Sequence, residues 1–282
     1  MDFLTVLEFL TWPIAAVLVI AGIHAYLGLH VVERGVIFVD LSLAQIAALG
    51  ATIAVLVPAF GGDPNSPGVY WMSLAFTIFG AFVFAMVKGQ DAHIPQEAII
   101  GISYAVASAA VILAISKAPG ESEHLSDMLV GNILAVQQRD VWIMGALYAV
   151  IGAFHYAFRK RFLEITMDPQ AVEARGISVR FWDFLFYASF GVVVTRSVAI
   201  AGVLLVFCYL IVPSVAGMLF ARRIGPRLAI GWAMATVVSG LGMYFSVIFD
   251  LPTGATIVCT FGLILVLLGL ARVLLVRGQK QA

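Results

Sequence analysis

The sequence predicts an all-α, polytopic integral membrane bundle with nine spanning helices, or eight if the least convincing segment is lost. Three observations carry that prediction. The 282 residues are 62% hydrophobic and only 11% charged. Mean hydropathy is +1.04, far above soluble composition. The apolar residues also fall into long runs, separated by short segments rich in Gly, Pro, Asn or charge.

A helix crossing the hydrocarbon core needs about 20 predominantly apolar residues. The candidate runs are residues 10–32, 36–60, 69–87, 98–116, 141–158, 181–195, 199–220, 228–249 and 255–276. The first follows Asp2 and Glu8, where a secretory signal would carry Lys or Arg, so it is expected to be a retained span. The second follows Arg34-Gly35 and contains Ala44, Ala47, Ala48, Gly50, Ala51 and Ala54, a surface that lets neighbouring helices approach closely. Residues 61–68, Gly-Gly-Asp-Pro-Asn-Ser-Pro-Gly, specify a turn before the third run, and 250–254, Asp-Leu-Pro-Thr-Gly, specify another before the last. The sixth run is the shortest, with Asp183 beside Arg180 at its start, expected at the membrane surface. No internal repeat or soluble domain boundary is evident, so residues 1–282 read as one transmembrane unit.

Charge placement supplies the sidedness. With the N-terminus outside and the C-terminus inside, only Lys117, Arg139 and Arg196 of the sixteen Lys and Arg fall outside, as the bias toward positive cytoplasmic loops requires. The loop at 117–140 is then external and contains Glu121, Glu123, His124 and Asp127, followed by an interfacial segment at 128–136. The loop at 159–180 is cytoplasmic.

Several function classes lack support. Formal net charge is zero and there is no basic tract, which argues against nucleic acid as a partner. Cys208 and Cys259 sit in apolar runs and suggest no disulfide framework. No Gly-x-x-x-x-Gly-Lys-Ser/Thr loop is present to cradle nucleotide phosphates, and no His-Glu-x-x-His pair to bind catalytic zinc. The chain therefore reads as a non-enzyme that binds no cofactor, and any nucleotide energy must come from a separate subunit.

The cytoplasmic island at 164–178 is the most informative polar segment. Asp168 is a helix N-cap, Pro169 fits the first helical position, Glu173 and Ala174 follow, and Gly176 is a natural terminator. A helix this short needs packing against spanning helices or a partner. Its competing reading is an ordinary surface helix.

Within the spans, Asp40 has two open readings. If the second helix starts near Gly35, a rise of about 1.5 Å per residue puts Asp40 roughly 7 Å deep and Gln45 near the midplane. Depth would make Asp40 a functional candidate. If the helix starts at Leu41, Asp40 is an N-cap at the surface. His24 and His30 are candidate metal ligands, but six positions place them about 240° apart on a helix, so packing competes with ligation. Pro213 removes a hydrogen bond within the seventh run and is a candidate hinge.

Taken together, the chain resembles the membrane permease subunits of bacterial ATP-binding-cassette importers for zinc, manganese and iron. The resemblance rests on Arg34 to Asp40 leading into the small-residue span, on 131–136 (Gly-Asn-Ile-Leu-Ala-Val), and on Asp168-Pro169 with Ala174 and Gly176-Ile177. It rests further on 202–206 (Gly-Val-Leu-Leu-Val), on 210–213 (Leu-Ile-Val-Pro) and on 252–254 (Pro-Thr-Gly). It implies a type II ABC importer-like permease in the bacterial inner membrane, paired with a second copy of this chain. It also implies cytoplasmic ATPase subunits that use ATP, an extracytoplasmic metal-binding protein docking near Glu121, Glu123, His124 and Asp127, and alternating access. Asp168, Pro169, Glu173, Ala174 and Gly176 would then form the ATPase coupling helix, and Asp40, Gln45, His24 and His30 would line the transient metal path. One departure stands out. Members commonly place Asp and His four apart on the second span; here Gln45 occupies the His position and Leu41 the Asp position, with Asp40 one earlier. Asp40 and Gln45 are about 140° apart on a helix, and an amide is a poor zinc ligand. The leading cargo is a divalent transition metal, zinc or manganese ahead of iron. A chelate such as a siderophore and an ATP-independent channel or carrier are the alternatives.

Overall fold

The structure is a computed structural model and describes residues 3–57, 66–87, 95–116 and 133–281. It is helical, with no strand among the described residues. The helices are α1 (Phe3–Arg34), α2 (Val39–Leu56), α3 (Pro67–Val87), α4 (Gln96–Ile115), α5 (Gln138–Ala157), α6 (Arg159–Met167), α7 (Pro169–Ala174), α8 (Val179–Ala201), α9 (Val203–Phe220), α10 (Ile224–Phe249) and α11 (Thr253–Gln281). A 3-10 turn, Ile133–Ala135, precedes α5.

Among the described residues nine helices are long and apolar enough to cross a membrane: all but α6 and α7. They coincide with the nine predicted runs. One boundary differs in an informative way: α8 extends over 23 residues from Val179 to Ala201, past the predicted end at 195. Thr195, Arg196 and Ser197 continue the helix rather than ending it, and Thr195 and Ser197 are buried. The break comes at Gly202, whose φ of 78° suits a residue without a Cβ.

The chain divides into two compact units, each described by itself. One comprises Glu33–Gly131 and Ala149–Val203. Its centre is α2, which packs on α3, α4 and α8. The small residues explain the fit: Ala44, Ala47, Gly50, Ala51 and Ala54 are all buried, and a Cβ added at Gly50 would lie 2.9 Å from the Met72 carbonyl oxygen. Because apolar surface has no water to escape within lipid, such close contacts and buried hydroxyl bonds must hold the helices together. Ser73 Oγ donates to the Ala47 carbonyl at 2.9 Å, and Thr77 Oγ1 lies 3.1 Å from Thr195 Oγ1.

The other unit comprises Met1–Val32, Asn132–Tyr148 and Leu204–Ala282. There α1 and α9 meet at Gly28, where an added Cβ would fall 1.9 Å from the Leu210 carbonyl oxygen. Any side chain at that position would force the helices apart. Ser214 Oγ, one residue after Pro213, sits 2.9 Å from the same carbonyl, its i−4 partner. Trp232 Nε1 donates to the Gly22 carbonyl at 3.0 Å, tying α10 to α1.

Candidate coupling helix and translocation residues

The polar island folds as two short helices joined at Asp168. The first, α6, was missed by the sequence reading because its opening Arg159-Lys-Arg161 looks like a flank of the preceding span. Its pattern is amphipathic: Phe162, Ile165 and Thr166 are buried, while Glu164 and Met167 are exposed. Asp168 closes α6, its N–H donating to the Glu164 carbonyl at 2.9 Å, and opens α7, its Oδ1 accepting from Ala171 N at 3.0 Å. Pro169 occupies the first position of α7. Gly176 ends the segment with φ 75°, its N–H donating to the Glu173 carbonyl at 2.9 Å. The predicted cap, start and terminator therefore have the geometry their chemistry requires.

Six residues of helix cannot stand alone. The anchor is Val172, 1% exposed, which packs with Ile165 and Val179 and is flanked by Ile177 and Trp182. Gln170, Glu173, Ala174 and Arg175 remain exposed. The helix thus has one apolar root and one free polar face.

Beneath the island lies a buried ionic centre. Arg34 ends α1; its Nη1 donates to Asp183 Oδ1 at 2.6 Å and its Nε to Thr166 Oγ1 at 3.0 Å. The guanidinium carbon sits 4.1 Å from the centroid of the Phe186 ring. Side-chain exposure is 3% for Arg34 and 0% for Asp183, so the aspartate that the sequence places beside Arg180 at the start of the span is enclosed by protein. Next to it, Gln96 Nε2 bridges the Phe84 carbonyl at 2.9 Å and the Tyr187 hydroxyl at 3.2 Å.

The start of α2 falls between the two starts considered for Asp40. The helix starts at Val39, with Phe38 as the N-cap residue and no side-chain cap bond. Asp40 lies in the first turn, is 2% exposed, and accepts from Leu41 N at 2.7 Å. It is therefore not the cap of α2. One cause is local and one distant: Gly35, at φ 68°, ends α1, and Phe38 N donates to Glu97 Oε1 at 3.0 Å, fixing the entry into α2. Gln45 is half-buried on the same helix.

His24 and His30 are fully buried. His24 Nδ1 donates to the Ile20 carbonyl at 2.8 Å, and His30 meets the Tyr26 ring edge-on at 4.9 Å. Among the described residues no group of three or more His, Cys, Asp or Glu converges as a metal cage. Pro213 is buried and α9 runs unbroken through it. Glu121, Glu123, His124 and Asp127 lie outside the described residues.

Comparisons with known proteins agree with this arrangement. The profile of the ABC 3 transport family matches residues 6–272. The chain is 26% identical over 253 residues to the manganese transport system membrane protein MntC of Halalkalibacterium halodurans, covering 89% of this chain and 83% of that protein. It is 26% identical over 259 residues to the manganese import system permease protein ScaB of Streptococcus gordonii, covering 87% and 91%. The solved structure of PsaBC from Streptococcus pneumoniae in complex with Fab superposes with a TM-score of 0.77 at 23% identity, covering 94% of both chains, a likeness of fold. With nine candidate spans among the described residues, a capped polar helix between two of them and a family match over almost the whole length, the chain belongs to the ABC 3 transport family.

Proposed function

We propose that this chain is the permease subunit of an ATP-driven importer that moves a divalent transition metal, manganese or zinc ahead of iron, into the cytoplasm by alternating access. The observation that carries the reading is α7: a capped helix with a free polar face, set between two spans of an ABC 3 family chain that has no nucleotide loop of its own. A cytoplasmic ATPase subunit would grip Asp168, Pro169, Glu173, Ala174 and Gly176 and convert nucleotide-driven closure into movement of the spans. The names of the two relatives given above, both manganese systems, support a metal cargo. The chain does no bond chemistry, and hydrolysis falls to its partner.

On this reading the N-terminus is outside, the C-terminus inside, and the importer sits in the bacterial inner membrane as a pair of this chain. An extracytoplasmic metal-binding protein would deliver cargo to the acidic loop holding Glu121, Glu123, His124 and Asp127. Asp40 and Gln45 on α2 and His24 and His30 on α1 are the candidate path residues, and Pro213 is the candidate hinge. A path should bind weakly enough to release its cargo, so the lack of a converged cage among the described residues is compatible with transport.

The test is co-reconstitution of this chain with an ATP-binding-cassette ATPase subunit, which this reading expects to be encoded beside it, in vesicles offered manganese, zinc, ferrous iron and a ferric siderophore. ATP-dependent uptake of manganese or zinc is expected. Uptake without ATP would favour a carrier, and uptake of the siderophore alone would replace the cargo. Asp40→Asn is expected to abolish uptake while the complex still assembles; normal uptake would remove Asp40 from the path.

A further inference from the structure

We propose that Arg34 is the positioning residue that transmits movement of the α6–α7 elbow to α1 and α8. The inference rests on α7 being the ATPase contact and adds the route by which its displacement leaves the island.

The geometry is specific. Thr166 lies two residues before Asp168, which is both the end of α6 and the cap of α7. Arg34 is the last residue of α1, and Asp183 is in the second turn of α8. One guanidinium bonds both, through Nε to Thr166 Oγ1 at 3.0 Å and Nη1 to Asp183 Oδ1 at 2.6 Å, while lying over the Phe186 ring at 4.1 Å. A planar fork with donors at fixed angles locks the orientation of two acceptors at once; a lysine ammonium would hold one as a point charge without fixing the other. Three segments separated by 132 and 149 positions in sequence are therefore held by one rigid group.

A packing role alone would not call for charge. Replacing a buried ion pair with apolar residues of similar volume is often neutral or stabilising, so a staple could be built from leucine. What an ion pair adds is directionality: the elbow cannot rotate without either moving Arg34 or breaking a desolvated bond. The contacts that carry the motion are then Thr166 to Arg34, and Arg34 to Asp183.

The experiment uses the full transporter in vesicles and reads manganese taken up per ATP hydrolysed, with complex assembly and melting temperature measured on the same samples. The variants are Thr166→Val, Arg34→Lys and the double variant Arg34→Met/Asp183→Leu, with Glu173→Arg on the free face of α7 as reference. Residues along a coupling route shift coupling by about 2- to 30-fold. We expect Thr166→Val and Arg34→Lys to assemble, to keep hydrolysing ATP and to lose uptake per ATP within that range, and the double variant to assemble without the parent's ratio. If uptake and hydrolysis fall together at a constant ratio, or the double variant restores the ratio, Arg34 is a staple and the inference is overturned. If Glu173→Arg uncouples but Thr166→Val and Arg34→Lys do not, the inference fails while the coupling reading stands. An unchanged ratio in Glu173→Arg overturns both.

Discussion

Two ionic sites are met by side chains two residues apart on α6, and they differ in almost every physical respect. Thr166 faces the buried Arg34–Asp183 pair, whose side chains are 3% and 0% exposed. Glu164 faces outward and pairs with Arg161 at 3.2 Å and Arg175 at 3.0 Å, with side-chain exposures of 42%, 33% and 52% for the three. Distances alone would rank the two sites as near equals. Burial separates them: a desolvated pair cannot exchange its partner for water, whereas an exposed one loses little when broken. The same short helix thus presents a fixed face to the spans and an adjustable face to the side where a partner would bind.

The largest effects should come from breaking the fixed face. Asp183→Leu or Arg34→Met alone strands one buried charge, and such losses typically cost about 3–5 kcal/mol. Each single variant should melt well below the parent in detergent, with the double variant recovering most of the loss; equal melting of the singles and the parent would mean that the pair is hydrated. An intermediate effect is expected at the joint between the faces. Asp168→Ala removes an N-cap worth about 1 kcal/mol, felt locally, so amide exchange at Ala171 should quicken while the global melt barely moves. A uniform fall in protection across α8 would instead mean that α7 and the spans unfold as one. The smallest effect belongs to the adjustable face. Glu164→Gln should change stability by less than about 1 kcal/mol, measured as the melting shift at low and high salt. A large loss would show that Glu164 is held as firmly as Thr166.

The division between legible and illegible features follows the same line. Span number and most boundaries could be read directly, because about 20 apolar residues in a row have few alternatives. The cap at Asp168 and the stop at Gly176 were legible because their chemistry is local, resolved within a few positions. The Arg34–Asp183 pair was not, since its partners are 149 residues apart and each alone looks like an interfacial charge. The reading of α8 as ending near Thr195 failed for a related reason: polar residues mark a helix end only when they face lipid or water, and Thr195 and Ser197 are buried. Asp40 fell between its two readings because the helix start is set by Gly35 and by Glu97, 59 positions from the Phe38 amide it accepts from. The cargo stayed least legible, as the path residues named on α1 and α2 do not converge into a cage among the described residues.

The central claim is that the free face of α7 is where an ATPase subunit grips the chain. Glu173 is exposed there, so Glu173→Cys in a Cys259→Ala background, with Cys208 left buried, provides a reporter. The measurement is the rate of labelling by a membrane-impermeant maleimide applied to open membrane fragments, with and without the bound ATPase. Strong protection when the ATPase is bound, with unchanged labelling of a cysteine introduced by Ser66→Cys at the start of α3, is the predicted result. Equal labelling of Glu173→Cys in both states would contradict the claim.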